Sequence, residues 1–170
     1  MKRVAIAALL VAFATACDAA PRSLGPPTTV TVSETVQVDG APVLEPDGIG
    51  GVRLGLTVAR LEATGEVGAD VTTPEFSCPI RELETVRGWV GIEDGVAVDI
   101  RVETAARTPE GLRIGDSRAR MREVYPDVEQ TPHGFVRLSA PGIRERFFFR
   151  DAGETLTGIG LTAEGHGCLN

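Results

Sequence analysis

Gly51-Val52-Arg53-Leu54-Gly55-Leu56-Thr57-Val58-Ala59-Arg60-Leu61 returns sixty residues later as Gly111-Leu112-Arg113-Ile114-Gly115-Asp116-Ser117-Arg118-Ala119-Arg120-Met121. The paired glycines, the paired arginines and Ala59/Ala119 are identical, and Val/Leu, Leu/Ile, Thr/Ser and Leu/Met are close exchanges. A repeat at fixed spacing marks a duplicated structural unit. Thr57 and Ser117 are placed as helix N-caps, because a hydroxyl there accepts from a free amide of the first turn. The first helix is expected to stop at Gly65, a residue that tolerates the left-handed conformation, and the second near Tyr125 ahead of Pro126.

Strand-like segments follow each helix. Residues 86–93 alternate in polarity, Asp94-Gly95 offers a hairpin turn, and residues 96–104 alternate again. In the second copy residues 144–150 lead through Asp151-Ala152-Gly153 into residues 155–162, with a further strand expected at 135–138. Helix followed by antiparallel meander, twice over, predicts an α+β fold: two tandem units, at about 48–105 and 108–170, forming one sheet with helices on one face.

Outside this domain the chain reads as export machinery. Lys2 and Arg3 precede a short apolar run over residues 4–14, well below the roughly 20 residues a permanent span needs, so 1–16 is read as a signal peptide. Ala14-Thr15-Ala16-Cys17 is similar to the lipobox at which a bacterial lipoprotein cysteine is acylated, with Ala14 standing where Leu is usual. Of the three cysteines, assigning Cys17 to a lipid leaves Cys78 and Cys168 to pair as a disulfide in an oxidising compartment. The alternative is simple secretion with Cys17 as a free or intermolecular thiol. Residues 17–47, with five scattered prolines, read as a lipidated cysteine followed by a disordered linker. Valines 30, 32, 36 and 38 leave open a strand that docks on the domain.

Cleavage removes Lys2 and Arg3 from the 17 basic residues, leaving 15 against 24 acidic and a net charge of about −9. General nucleic-acid binding, which needs a basic footprint, is not expected. Neither His133 nor His166 has the second histidine or carboxylate spacing of a zinc site, and no serine sits in a nucleophile elbow. Catalytic residues, metal and cofactor are therefore all read as none.

The repeated Gly-x-Arg-Leu/Ile-Gly-x-Thr/Ser-x-Ala start resembles that of the tandem-repeat β-lactamase inhibitor protein family and of the small outer-membrane assembly lipoproteins. Thr131-Pro132-His133 and the terminal Gly167-Cys168 are similar to a group of uncharacterised lipoproteins of GC-rich Gram-positive bacteria. The resemblance implies a non-catalytic protein-binding or inhibitor-like role. In the inhibitor family the exposed sheet face contacts an enzyme, but that family's within-unit cysteine pairs are absent here.

Strand alternation supplies the candidate surface. If Val90 and Ile92 face the helices, the other face of the sheet carries Arg87, Trp89, Arg101, Arg144, Arg146 and Phe148. Aromatic residues and arginine dominate interface hot spots, so this is the candidate binding face. The alternative is that Trp89 tucks under a loop and the arginines merely solvate the sheet. Partners are then the membrane, through the lipid anchor, and an envelope or extracellular protein. A structural envelope lipoprotein and an unrecognised enzyme remain the competing classes.

Overall fold

The computed structural model describes residues 40–132, 134–150 and 153–168. The signal peptide, Cys17, residues 17–39 of the linker (valines 30–38 among them), His133 and the Asp151-Ala152 pair lie outside the described residues.

Strands β1 (Leu44–Glu45), β2 (Gly48–Ile49) and β3 (Val52–Arg53) form a small antiparallel sheet. Helix α1 (Val58–Thr64) leads into β4 (Val67–Val71), β5 (Ile80–Leu83), β6 (Gly88–Glu93) and β7 (Val96–Val102). Helix α2 (Arg118–Val124) leads into β8 (Glu129–Thr131), β9 (Gly134–Ala140), β10 (Ile143–Phe149) and β11 (Leu156–Ala163). The last eight strands make one antiparallel sheet in the order β4-β5-β6-β7-β11-β10-β9-β8. The two four-strand runs therefore meet at β7 and β11, where Val102 faces Ile159 and Asp99 faces Thr162.

The expected α+β fold with tandem helix units does not hold. Among the described residues the chain is mostly β, with eleven strands in two antiparallel sheets and two helices of seven residues each. Both helices are stopped early by local chemistry. Gly65 turns left-handed at φ 69°, and Tyr125 leaves helical geometry directly before Pro126. Meanwhile β1–β5 and β8 arise in segments without clean alternation, so pairing with the adjoining strand, not side-chain pattern, makes them strands.

The repeat has a visible physical cause. Gly55 and Gly115 both adopt positive φ, 79° and 103°, which a residue with a side chain resists. That geometry docks each helix entrance on the start of its unit's last strand. Gly55 N–H donates to Ala97 O (2.7 Å) and Val58 N–H to Gly95 O (3.1 Å). The second copy repeats this with Gly115 N–H to Leu156 O (2.8 Å) and Arg118 N–H to Glu154 O (2.8 Å). The caps differ: Ser117 accepts from the Arg120 amide at 3.1 Å, whereas Thr57 makes no side-chain cap bond.

The main core lies between the helices and the sheet. Leu61 and Met121 from the helices join Val90, Ile100, Phe147 and Ile159 from the strands, each side chain worth about 1.5–3 kcal/mol on burial. The folded region also starts earlier than position 48. Arg107 N–H donates to Pro42 O, Leu44 N–H donates to Arg107 O, and Leu44 is fully buried in the main core. Residues 42–47 are thus part of the fold, because Leu44 finds apolar neighbours that its Pro-rich surroundings do not advertise.

Candidate functional site

The sheet face turned away from the helices is built by alternation. Val90, Ile100 and Phe147 point into the main core, so Trp89, Arg101, Arg144, Arg146 and Phe148 take the opposite side. Pairing then sets them in rows: Trp89 beside Arg101, Arg101 beside Gly160, Gly160 beside Arg146, and Arg146 beside Val136.

One half of this face is covered. The Cys78–Cys168 disulfide joins the segment before β5 to the C-terminal tail and lays Cys168 directly on Gly91, where a Cβ would overlap its Sγ. Ser77 N–H donates to Cys168 O at 3.0 Å. Beneath this strap Ile80, Trp89, Val98 and Cys168 form a second, smaller core. Trp89 is therefore not a recognition residue on an open surface. It is 8% exposed, with the Phe76 ring edge-on at 4.8 Å. Arg87 is exposed but engaged at the rim, its Nε donating to Glu103 Oε2 at 3.1 Å.

Asp99 lies under the same strap. It accepts from the Thr162 hydroxyl at 3.1 Å and the Cys168 amide at 3.4 Å. Burial pushes its pKa up, against the opposing pull of those bonds and of the Arg146 and Arg101 charges.

The other half, over β7, β11, β10 and β9, stays open. Gly158 and Gly160 present no side chain here, so Arg101 comes close over Gly158 and the Phe148 ring over Gly160; a Cβ at 160 would stand 3.1 Å from the ring's Cε2. Arg101 stacks on that ring from the β7 side at 4.0 Å and pairs with Glu103 at 3.2 Å. Burial lowers the Arg101 pKa, an effect resisted by the nearby Glu103 and Asp99 carboxylates. Arg144 pairs with Glu164 at 3.3 Å. Next to these, Val136, Leu138, Arg144 and Arg146 line a concavity of about 650 Å³. Leu138 is 61% exposed, the one large hydrophobic so exposed among the described residues.

No family model, curated protein or solved structure matches this chain. Its chemistry must be read from the side chains themselves.

The structure brings Arg101, Arg144, Arg146 and Phe148 together as the alternation predicted, removes Trp89 and places Arg87 at the rim. It adds Val136 and Leu138, whose strand was expected but whose exposure was not. It also assembles a partly buried polar cluster on the helix side. Tyr125 donates to Glu110 Oε2 at 2.5 Å, Arg137 pairs with Glu145 at 2.8 Å, and the Arg137 guanidinium stacks on the Tyr125 ring at 4.4 Å. Burial pushes the Glu145 carboxyl up to about 6, with Arg137 pulling the other way, and raises the Tyr125 pKa as well. The void beside it, lined by Leu44, Pro46 and Ser139, is about 40 Å³, room for little more than a water. Among the described residues no group of three or more His, Cys, Asp or Glu is placed to hold a metal ion. The open face offers guanidinium donors, an aromatic wall and apolar contact, which is equipment for binding.

Proposed function

We propose that this chain is an exported, membrane-anchored binding module that engages an envelope or extracellular protein through the open half of its outer sheet face. The observation that supports this is the asymmetry of that face. One half is sealed by a disulfide strap, while the other keeps Phe148, Arg101, Arg144, Arg146 and exposed Leu138 contiguous. Aromatic and arginine side chains held rigid by packing cost little entropy on binding, which suits them as anchors. The resemblance of the repeat start to protein-binding families points the same way. Anchoring rests on the Cys17 reading, in which two or more acyl chains give stable attachment.

The test places a photoreactive residue at Leu138 in cells, with Glu123 on α2 as the control position. Discrete protein adducts from 138, weakened by Phe148→Ala and absent from 123, are expected. No adduct at 138, or the same adducts from both positions, overturns the reading.

A further inference from the structure

We propose that the open face takes a partner segment carrying a carboxylate, seated on Arg146 beside an apolar side chain that lies against Val136 and Leu138. This rests on the binding reading above and narrows it to a partner chemistry.

Arg146 is the reason. The half-buried Arg53, Arg101, Arg107, Arg118 and Arg137 each have an ion pair or hydrogen bond, to Asp47, Glu103, the Thr108 carbonyl, Glu154 and Glu145 respectively. Arg146 is half-buried with neither; its charge attracts Asp99, as that of Arg101 does, but Asp99 lies buried under the strap and accepts from Thr162 and Cys168. A guanidinium presents five donors in a planar fork matched to a carboxylate, and leaving them unmet where water is partly excluded is costly.

Its surroundings select the anion. In its row, Arg146 has Gly160 on one side and Val136 on the other, neither of which supplies charge. The flanking arginines are already matched, Arg101 by Glu103 and Arg144 by Glu164, and Glu129 stands beyond Val136 in the same row. Asp127 also lines the concavity, paired with Arg137, so among the described residues Arg146 is the one cation there without an ion pair and Glu129 the one such carboxylate. A dianionic phosphate or an anionic bilayer would meet these four carboxylates, whereas a single carboxylate would meet the one unmatched cation. Strand spacing of about 4.8 Å puts Val136 in the next strand, so a residue neighbouring the acid in the partner reaches apolar surface there and at Leu138. The Phe148–Arg101 stack, seated on Gly158 and Gly160, gives the site a fixed wall on its other side.

The experiment uses the full mature chain, oxidised at Cys78–Cys168 and labelled at the arginine side chains for NMR. The probe is the peptide acetyl-Leu-Glu-Leu-amide, set against its Gln counterpart, inorganic phosphate and phosphatidylglycerol vesicles. A saturable shift of the Arg146 Nε signal with the Glu peptide is expected, at least tenfold weaker with the Gln peptide. Arg146→Gln is expected to weaken binding tenfold or more, with Arg146→Lys between. Equal binding of the two peptides, wild-type binding by Arg146→Gln, a comparable Arg146 shift with phosphate or vesicles, or no saturable shift overturns the inference. Adducts from position 138 that survive Arg146→Gln leave the binding face standing while this narrower assignment falls. A peptide shift at Arg146 without any adduct at 138 has the reverse meaning.

Discussion

Replacing Cys78 and Cys168 together by serine tests how much of the fold depends on the strap. The bond closes a loop with a sequence separation of 90 residues. In the chain-entropy model such a cross-link removes enough freedom from the unfolded chain to stabilise the fold by about 4–5 kcal/mol. Native stabilities run to only about 5–15 kcal/mol, so the double variant is expected to lose a large share of its total. The loss has a local part too. Cys168 is fully buried against Gly91, and its amide donates to Asp99, so freeing the tail hydrates Asp99 and unroofs the Trp89 cluster. Trp89 is the only tryptophan in the chain, which makes its emission a reporter of the strap alone. Urea unfolding followed by both tryptophan fluorescence and far-ultraviolet circular dichroism separates the two parts. We expect a midpoint shift equivalent to at least about 4–5 kcal/mol, and a red-shifted Trp89 before any denaturant is added. A double variant within about 1 kcal/mol of wild type, its Trp89 emission unchanged, would refute the reasoning.

Three further outcomes follow from particular contacts. Glu145 has its folded pKa raised to about 6 from an ordinary 4.5, so the fold binds its proton more tightly than the unfolded chain does. Its contribution to stability therefore grows as pH falls through 6 towards 4.5, by about 1 kcal/mol between pH 7 and 5. Asp99 shifts in the same direction, so the measurement is the part of that pH dependence that Glu145→Gln abolishes; an identical slope in the variant would sink it. Ser117→Ala removes a real cap and should cost about 1 kcal/mol in thermal unfolding, whereas Thr57→Ala should cost only a few tenths. Equal losses would mean that the cap geometry is wrong. Gly91→Val should block the seating of Cys168, read as free thiols in the folded protein; complete oxidation at unchanged stability contradicts that packing.

Legibility of the fold followed the range of the forces involved. Asp94-Gly95 was readable as a hairpin turn because both residues must adopt positive φ, 50° and 77°, which that dipeptide tolerates. The strands of both central hairpins were readable because their main-core residues recur at every second position, although β6, β7 and β11 are buried on both faces. By contrast β4, β5 and β8 carry mixed burial and gain their form from pairing with neighbours, so no local signal announces them. The same distinction divides the candidate face. Alternation placed Arg101, Arg146 and Phe148 on one side of the sheet, but it says nothing of what lies over that side. Trp89 was lost to the face by a tail more than seventy residues further along the chain.

The sequence by itself determined the duplicated helix entrances, the main hairpins and the side of the sheet to which each strand residue points. These depend on backbone conformation and on a two-residue period, both local. Only the tertiary structure decided that the chain is mostly β, that the fold begins before Gly48, and that the strap covers Trp89. It also decided that Arg146, unlike the half-buried Arg53, Arg101, Arg107, Arg118 and Arg137, has no ion pair or hydrogen bond among the described residues. Those outcomes depend on which distant groups meet, and a side chain's partner across a sheet is fixed by register and coverage that its own neighbours in sequence do not encode.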